Sequence, residues 1–127
     1  MILNLTQHAT TPDQIEFGVV DLPEEQLITL RELLTFEDPP TMEEMEYRAE
    51  AIAVLAQNYH PEPEAEYPEV MIGGAPFFMS TLESVLNTVF TVLYAFSKRQ
   101  VKEERQADGS VTKASVFKHV GFVEPRV

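Results

Sequence analysis

A short apolar strand that stops at two glycines before an apolar helix is the feature that most constrains the fold of this chain. Residues 70–72 (VMI) predict a buried strand, Gly73 and Gly74 end it, and Pro76 suits the first turn of the following helix. Because glycine tolerates backbone conformations that other residues disfavour, we expect at least one of the pair to adopt one. Strand, tight turn and helix in this order predict half of a βαβ unit.

The rest of the chain repeats this alternation of strand and helix. Two capping boxes mark helix starts, at Thr11 with Gln14 and at Thr41 with Glu44. Further strands are predicted at residues 2–5, 19–20 and 91–96, and a further helix is predicted from Asp21. This order predicts one Rossmann-like α/β domain spanning residues 1–127, with a mostly parallel sheet, helices on both faces and a C-terminal antiparallel hairpin.

The C-terminal hairpin is predicted around Asp108 and Gly109, a dipeptide suited to a tight turn. Its strands are expected at residues 101–106 and 111–117. Before it, the buried strand 91–96 is expected to end in three polar residues, Ser97, Lys98 and Arg99. Strict alternation places His119 and Phe122 on opposite faces of the last segment.

The net charge of −12 hides an uneven distribution of charge. Residues 1–97 carry seventeen acidic and two basic side chains, whereas residues 98–127 carry four acidic and seven basic ones. An acidic surface repels phosphates, so double-stranded nucleic acid is not expected as a partner. The basic segment is compatible with an ordinary charged hairpin or with a local anion site inside an acidic shell.

Composition excludes several classes of site. The chain has no cysteine, which excludes thiolate metal sites, iron–sulfur clusters, cysteine nucleophiles and disulfides. Its three histidines lack an accompanying carboxylate motif, so no metal site is predicted, and no motif predicts a cofactor. The chain contains no run of about 18 apolar residues and no signal-peptide pattern, so we expect a cytoplasmic protein that does not bind membranes.

Candidate site residues follow three predicted strands, because ligands bind beyond the carboxyl ends of parallel strands. His8 lies in a polar loop rather than on an apolar face, which makes it a candidate acid or base. Lys98 and Arg99 are candidate cations for an anionic ligand. The candidate ligand-binding residues are Asn4, Thr6, Gln7, Gly73, Gly74, Ala75, Phe77, Ser97 and His119.

Several of these residues also have a purely structural interpretation. The glycine pair either presents backbone N–H groups to an anion or simply makes a tight strand-to-helix turn. Phe77 and Phe78 could stack on a base, but their helical spacing with Leu82 places at least one of the two in the core. His119 is either a ligand contact or a half-buried histidine bonded to backbone, and His60 is expected on the surface.

Taken in order, these motifs resemble the small stand-alone proteins of the CRISPR-associated Rossmann fold group, including the short ring nucleases of type III systems. The residues that carry the resemblance are Thr6-Gln7-His8, residues 11–14 (TPDQ), 20–23 (VDLP), 73–74 (GG), 94–99 (YAFSKR) and 117–122 (FKHVGF). The NLTQH opening and the MIGGAPF loop are also similar to those of an uncharacterised phage or prophage family.

The resemblance implies a homodimer that binds a cyclic oligoadenylate in phage defence or counter-defence and cleaves it without a metal. A ribose 2′-hydroxyl would attack the adjacent phosphate, with His8 as acid or base and with Lys98, Arg99 and the glycine amides stabilising the charge. The chain departs from the expected pattern in having two phenylalanines after GGAP, which weighs against cleavage more than against binding. The alternative function is a non-enzymatic acidic interaction protein, such as a nucleic-acid mimic or an inhibitor. A third possibility is a small enzyme acting on an ordinary nucleotide.

Overall fold

The computed structural model describes residues 1–126 and has the expected α/β architecture. Its strands are β1 (Ile2–Leu5), β2 (Val19–Asp21), β3 (Glu69–Ile72), β4 (Thr91–Arg105) and β5 (Val111–Val123). Its helices are α1 (Pro12–Glu16), α2 (Glu24–Leu34), α3 (Met42–Tyr59) and α4 (Pro76–Leu86). Within these residues, no helix is both long and apolar enough to cross a membrane.

The sheet has the strand order β2-β1-β3-β4-β5. The first four strands are parallel and β5 pairs antiparallel with β4, as predicted. From β1 the chain moves outward to β2 on one side and then returns to β3 on the other, so the order of strands reverses between β1 and β3. In open α/β sheets the carboxyl ends of the strands at such a reversal form a crevice.

The two faces of the sheet are covered unequally. Helices α2, α3 and α4 pack on one face against buried strand residues such as Leu5, Ile72 and Val92. The other face carries a smaller apolar cluster of Ile2, Val19, Met71 and Leu93, with Phe122 against it. Only the five-residue helix α1 and Phe17 at its end cover that second face within the described chain.

Capping explains where two of the helices begin. Thr11 and Gln14 form the predicted capping box of α1, with each side chain bonded to the other residue's backbone. At α3, Thr41 accepts a hydrogen bond from the Glu44 backbone N–H at 3.1 Å, but the Glu44 carboxylate contacts Arg48 at 2.8 Å instead of closing the box. A nearby guanidinium therefore outcompetes the backbone amide for this carboxylate.

The strand that was expected to end at Phe96 instead continues to Arg105. Parallel pairing with β3 does stop at Tyr94, but antiparallel pairing with β5 continues along the whole remaining length. No glycine or proline interrupts residues 91–106, so nothing local ends the strand. Ser97, Lys98 and Arg99 consequently lie within a strand, which corrects the prediction that they form its terminal loop.

Three smaller predictions are also wrong. A bulge where Phe96 and Ser97 meet β5 shifts the alternation, so His119 and Phe122 contact each other on one face with ring centroids 4.8 Å apart. Asp21 ends β2, and α2 begins at Glu24 behind Pro23. His60 is buried instead of exposed. Both of its ring nitrogens have partners there, since Nδ1 accepts from the Glu62 N–H at 2.9 Å and Nε2 contacts the Glu69 carbonyl at 2.8 Å.

Candidate functional site

A cleft of about 480 Å³ opens where β1 and β3 end, at the reversal of strand order. This volume falls within the range of about 300 to 1,000 Å³ that is typical of small-molecule sites. We call it the glycine cleft. It is lined by Thr6, Gln7, His8, Ala9, Thr11, Gln14, Met71, Ile72, Gly73, Gly74, Tyr94 and Ala95.

Asn4 supports one wall of the cleft from beneath. Its side chain is 1% exposed, and its Nδ2 donates to the His8 carbonyl at 2.8 Å, to Thr10 Oγ1 at 3.2 Å and to Asp21 Oδ1 at 2.9 Å. Its Oδ1 accepts from the Thr6 backbone N–H at 2.9 Å and from the Thr6 hydroxyl at 2.7 Å. Every polar atom of the amide is engaged within the protein, so the bonds of Asn4 serve to position the loop.

His8 occupies the exposed rim of this loop. Its carbonyl is held by Asn4 and its backbone N–H lies 3.4 Å from Thr6 Oγ1, which fixes the main chain at this residue. Its imidazole has no hydrogen-bond partner within residues 1–126. A fixed backbone with an uncommitted ring leaves both ring nitrogens available to a molecule in the cleft.

Gln7 is tied to helix α2 instead of facing the cleft freely. Its Nε2 donates to Thr35 Oγ1 at 3.2 Å, and its carbonyl accepts from Arg31 Nε at 3.3 Å. Arg31 is the basic residue that contacts this loop, and sequence reasoning did not select it. Helical periodicity marks Arg31 as an exposed residue of α2, but only the tertiary packing of α2 brings it to the loop.

The two glycines form the opposite wall, and each accommodates a close neighbour. Gly74 has φ +153°, and a Cβ there would lie 3.4 Å from the Met79 terminal methyl. This confirms the expectation that one glycine adopts a conformation other residues disfavour. A Cβ at Gly73 would lie 3.4 Å from Thr6 Cγ2, so a larger side chain at this position would extend towards the other wall.

Helix α4 begins directly after the glycine turn and leaves its amino end open. Ala75 is the N-cap residue and provides no side-chain hydrogen bond, and the first turn contains no acidic residue. Pro76 has no N–H, so the first free backbone donors come later in that turn. The positive end of the helix dipole is therefore uncompensated next to the cleft.

The cleft is mostly apolar and lacks a permanent cation. Met71 and Ala95 provide apolar surface, and no lysine or arginine belongs to the lining drawn from residues 1–126. The Tyr94 hydroxyl donates to Glu83 Oε2 at 2.6 Å. Burial and this hydrogen bond raise the pKa of Tyr94, so the phenol stays neutral. His8 is consequently the lining residue best suited to proton transfer.

The predicted cations do not reach this cleft. Lys98 and Arg99 lie on a two-stranded extension of residues 95–118, which we call the arm; residues 1–94 and 119–126 form the body. Arg99 Nη2 contacts Ser115 Oγ at 2.9 Å on the neighbouring strand. Ser97 likewise pairs with His119 in the strand register instead of lining the cleft.

Phe77 and Ala75 also lie outside the cleft lining. Phe77 packs edge-on against Phe36, with ring centroids 5.2 Å apart, beside a separate apolar groove between α4 and residues 36–40. Its neighbour Phe78 points into the core. One phenylalanine of the pair is thus core, as the structural interpretation required, and the exposed one faces a different surface.

His119 is buried beneath Phe17, away from the cleft lining. Its side chain is 5% exposed, and its ring lies 4.8 Å from the ring centroids of Phe17 and Phe122. Neither ring nitrogen has a hydrogen-bond partner among residues 1–126, so the expected bond to backbone is not made there. Burial lowers the pKa of His119, and only the negative charge of Asp13 opposes this shift.

A larger depression of about 610 Å³ lies between α2 and the start of α3. Its two cations are Arg31, which bonds to the loop, and Arg48. Arg48 donates to the carbonyls of Glu32, Leu33 and Thr35 and to the Glu44 carboxylate. Since these bonds hold the Arg48 guanidinium and Arg31 Nε, and four acidic residues line the rim, this depression is poorly suited to an anion.

Sequence reasoning missed the residues that form the floor of the cleft. Met71 and Ala95 share one sheet face with Asn4 by the two-residue period of their strands. That period was readable in the sequence, but strand neighbours and register were not. No side-chain cluster within residues 1–126 has three or more His, Cys, Asp or Glu residues arranged to hold a metal ion.

Comparison with known proteins assigns a family to the chain. Residues 1–123 match the sequence model of the family described as "Uncharacterized protein MJ1673 family". No curated protein and no solved structure matches the chain.

Proposed function

The chain belongs to the MJ1673 family, and we propose that it binds a cyclic oligoadenylate in the glycine cleft and opens the ring without a metal ion. The observation that carries this proposal is the position of the cleft at the strand reversal, with the free His8 imidazole opposite Gly73 and Gly74. In phage defence or counter-defence, such a protein would bind or remove a second messenger.

The lining suits a nucleotide in two respects. The apolar surface of Met71 and Ala95 can contact the face of a base, while polar groups on the rim can bond to its edge or to the sugar. Beyond Gly74, the amino end of α4 offers the Phe77 N–H and a favourable dipole to a phosphate, whereas the Phe78 N–H already donates to the Ala75 carbonyl at 3.0 Å. Binding in this cleft therefore does not depend on a lysine or arginine of the same chain.

Ring opening moves one proton from the 2′-hydroxyl to the leaving 5′-oxygen, in two transfers, and needs no outside reactant. The ribose 2′-hydroxyl attacks the adjacent phosphorus, the bond from phosphorus to the 5′-oxygen breaks, and the products are a 2′,3′-cyclic phosphate and a free 5′-hydroxyl. His8 in its neutral form would accept the 2′-hydroxyl proton, and the resulting imidazolium would return a proton to the leaving oxygen. The cleft would supply orientation, which is a major part of catalysis for an intramolecular attack.

Ring binding also motivates the proposal of a homodimer. A cyclic oligoadenylate repeats the same unit around its ring, and two equivalent clefts related by a twofold axis would bind two such units. One cleft of about 480 Å³ is comparable with the site for a single small molecule. A second protomer would provide the rest of the contact surface.

Filling the cleft tests the binding proposal directly. We expect the parent protein, in EDTA, to bind at least one of the cyclic tri-, tetra- and hexa-adenylates in isothermal titration calorimetry. Gly73→Val places a branched side chain towards Thr6 and should weaken binding at least tenfold. Gly121→Val makes the same change where no atom of residues 1–126 lies within 4 Å of the added Cβ, and it should bind like the parent. If the parent binds none of the cyclic or linear nucleotides, the proposal fails.

Replacing His8 separates cleavage from binding. Removing a group that transfers a proton in the transition state should lower turnover by about 10²- to 10⁴-fold, with affinity nearly unchanged. His8→Ala should therefore still bind the ring while chromatography shows little linear product. A parent protein that binds the ring without cutting it would restrict the function to binding. Equal turnover of parent and variant would exclude His8 from the chemistry.

One observation supports the alternative of a non-enzymatic acidic interaction protein. Helix α3 displays Glu43, Glu46 and Glu50 on its exposed side, and the body is strongly acidic. A nucleic-acid mimic of this kind would bind a basic protein through these carboxylates and would leave the cleft unused. Its binding would be lost on reversing the α3 charges and would be unaffected by Gly73→Val.

A further inference from the structure

The arm is the least packed part of the described chain. No side chain of residues 95–118 is buried, and Phe117 is 74% exposed. From Ala95 onward, the only strand that pairs with β4 in the described chain is β5, since the pairing with β3 ends at Tyr94. An isolated two-stranded hairpin is marginally stable in water, so an arm of this length points to a partner surface.

Most of the basic side chains on the arm form no ion pair within residues 1–126. The arm carries six basic and three acidic side chains, whereas the described body carries three basic and eighteen acidic ones. Lys98 and Lys118 are directly opposite each other in the register, a pairing of like charges that is unfavourable by itself. Within residues 1–126, the only arm cation in an ion pair is Lys113, whose Nζ lies 3.8 Å from Glu103 Oε1.

The exposed side of α3 has the complementary character. It presents carboxylates at Glu43, Glu46 and Glu50 beside apolar side chains, of which Tyr47 and Val54 are exposed. The arm presents lysines and arginines beside exposed Val101 and Phe117. Opposite charges and matching apolar groups are the two features that define a specific interface.

We propose that the arm of one protomer docks on α3 of a second copy of this chain. The eighteen residues of α3 span about 27 Å at about 1.5 Å per residue. The segment from Lys98 to Arg105 spans roughly 26 Å at about 3.3 Å per residue, so the two elements match in length.

The contact is reciprocal in a twofold dimer, because each protomer has both an arm and an α3. An arm that lies along the full length of α3, about 27 Å, on a helix about 10 Å wide covers roughly 270 Å² on each partner. Two such contacts bury roughly 1,100 Å² in total, counted over both partners. This is near the lower limit of about 1,200 Å² for stable interfaces. The dimer is therefore expected to dissociate at low concentration and at high salt.

The interface extends the homodimer suggested for ring binding, but it is tested without any nucleotide. Its failure would therefore leave the test of the glycine cleft unaffected. We expect sedimentation at 1 to 100 µM in low salt to show the parent as a dimer that dissociates as salt is raised. In an arm-shortened variant, Asn-Gly replaces residues 101–115. It should be monomeric and should keep the circular dichroism of the folded body.

Complementary charge reversals identify the surfaces. Lys98→Glu with Lys118→Glu, and separately Glu43→Lys with Glu46→Lys, should each weaken dimerisation at least tenfold. Mixing the two variants should restore dimers. In a mixed dimer the reversed arm of one variant meets the reversed α3 of the other, and the second contact keeps its original opposite charges. Glu64→Lys with Glu66→Lys makes the same net change outside α3 and should dimerise at least as well as the parent.

Three results would overturn the proposal. The first is a parent that stays monomeric at 100 µM in low salt. The second is an arm-shortened variant that dimerises like the parent. The third is a mixture of the reversed variants that does not recover dimers. If the parent is monomeric and binds duplex DNA through the arm, the arm is a nucleic-acid contact instead.

Discussion

The body and the arm differ in almost every physical property. The body contains all the buried apolar side chains of the described residues, whereas the arm contains none. The body is acidic and the arm is basic, so the uneven charge along the sequence becomes a separation of charge in space. The glycine cleft is therefore lined by residues of the body and by Ala95, the first residue of the arm. The arm has no buried core and instead presents an exposed surface.

Two matched phenylalanines give the largest expected contrast. Phe78 is 0% exposed in the core and Phe117 lies on the arm. Phe78→Ala should lower the free energy of unfolding by about 3 to 5 kcal/mol, because it removes buried apolar surface and leaves a cavity. Phe117→Ala should change it by less than about 0.5 kcal/mol. Urea denaturation of the two variants measures both effects, and similar losses would show that the arm is part of the cooperative core.

Asn4 should give the next largest effect, through hydrogen bonds rather than packing. Asn4→Ala leaves the partners of its amide without their bonds beneath the loop, which should cost about 2 to 3 kcal/mol of unfolding free energy. Amide exchange should also increase in residues 6–10. Asn58→Ala, at an exposed position of α3, is the matched control and should be nearly neutral. An unchanged loop in Asn4→Ala would contradict its positioning role.

His119 should make the stability of the body depend on pH. Because burial lowers its pKa below the ordinary value near 6.5, the unfolded chain binds a proton more readily than the folded one. Its contribution is therefore complete above about pH 6.5 and is lost as the pH falls. His119→Leu should gain about 1 kcal/mol at pH 7, since two unpaired nitrogens are removed, and more at pH 5.5. A parent and variant with parallel pH profiles would show that this histidine does not titrate differently on folding.

The smallest expected effect comes from the arm cations. Replacing Lys98 and Arg99 together with alanine should change the free energy of unfolding by less than about 0.5 kcal/mol, because both are exposed and neither forms an ion pair in the described chain. Thermal denaturation at a concentration that keeps the protein monomeric measures this. A loss of more than about 1 kcal/mol would show that these side chains support the fold.

Local signals in the sequence predicted the elements of the fold well. The glycine turn, the capping box of α1, the start of α3 behind Thr41 and the hairpin at Gly109 all lie where their residue patterns placed them. Each depends on neighbours within a few positions of the chain. The predictions failed where distant residues compete, as when Arg48 takes the Glu44 carboxylate or when pairing with β5 extends β4 past Phe96.

Five of the twelve residues that line the cleft were predictable for the same reason. Thr6, Gln7, His8, Gly73 and Gly74 follow strand ends that parallel pairing must bring together, and they line one cleft. Asn4 follows the same rule but serves as a buried support. Ser97, Lys98 and Arg99 were misplaced because the end of a strand is set by its partner strand and not by its own polarity.

The sequence by itself determined which segments fold as strands or helices, where glycine is required, and that acidic and basic charge occupy separate regions. Those properties follow from backbone sterics, side-chain periodicity and composition, which act locally. Only the tertiary structure decided that His119 is buried without a hydrogen-bond partner in the described chain, that Asn4 supports the loop, and that Lys98 and Arg99 lie on the arm, away from the cleft. Register, the bulge in β5 and the continuation of β4 decide these outcomes, because they arise from hydrogen bonds between residues distant in the chain.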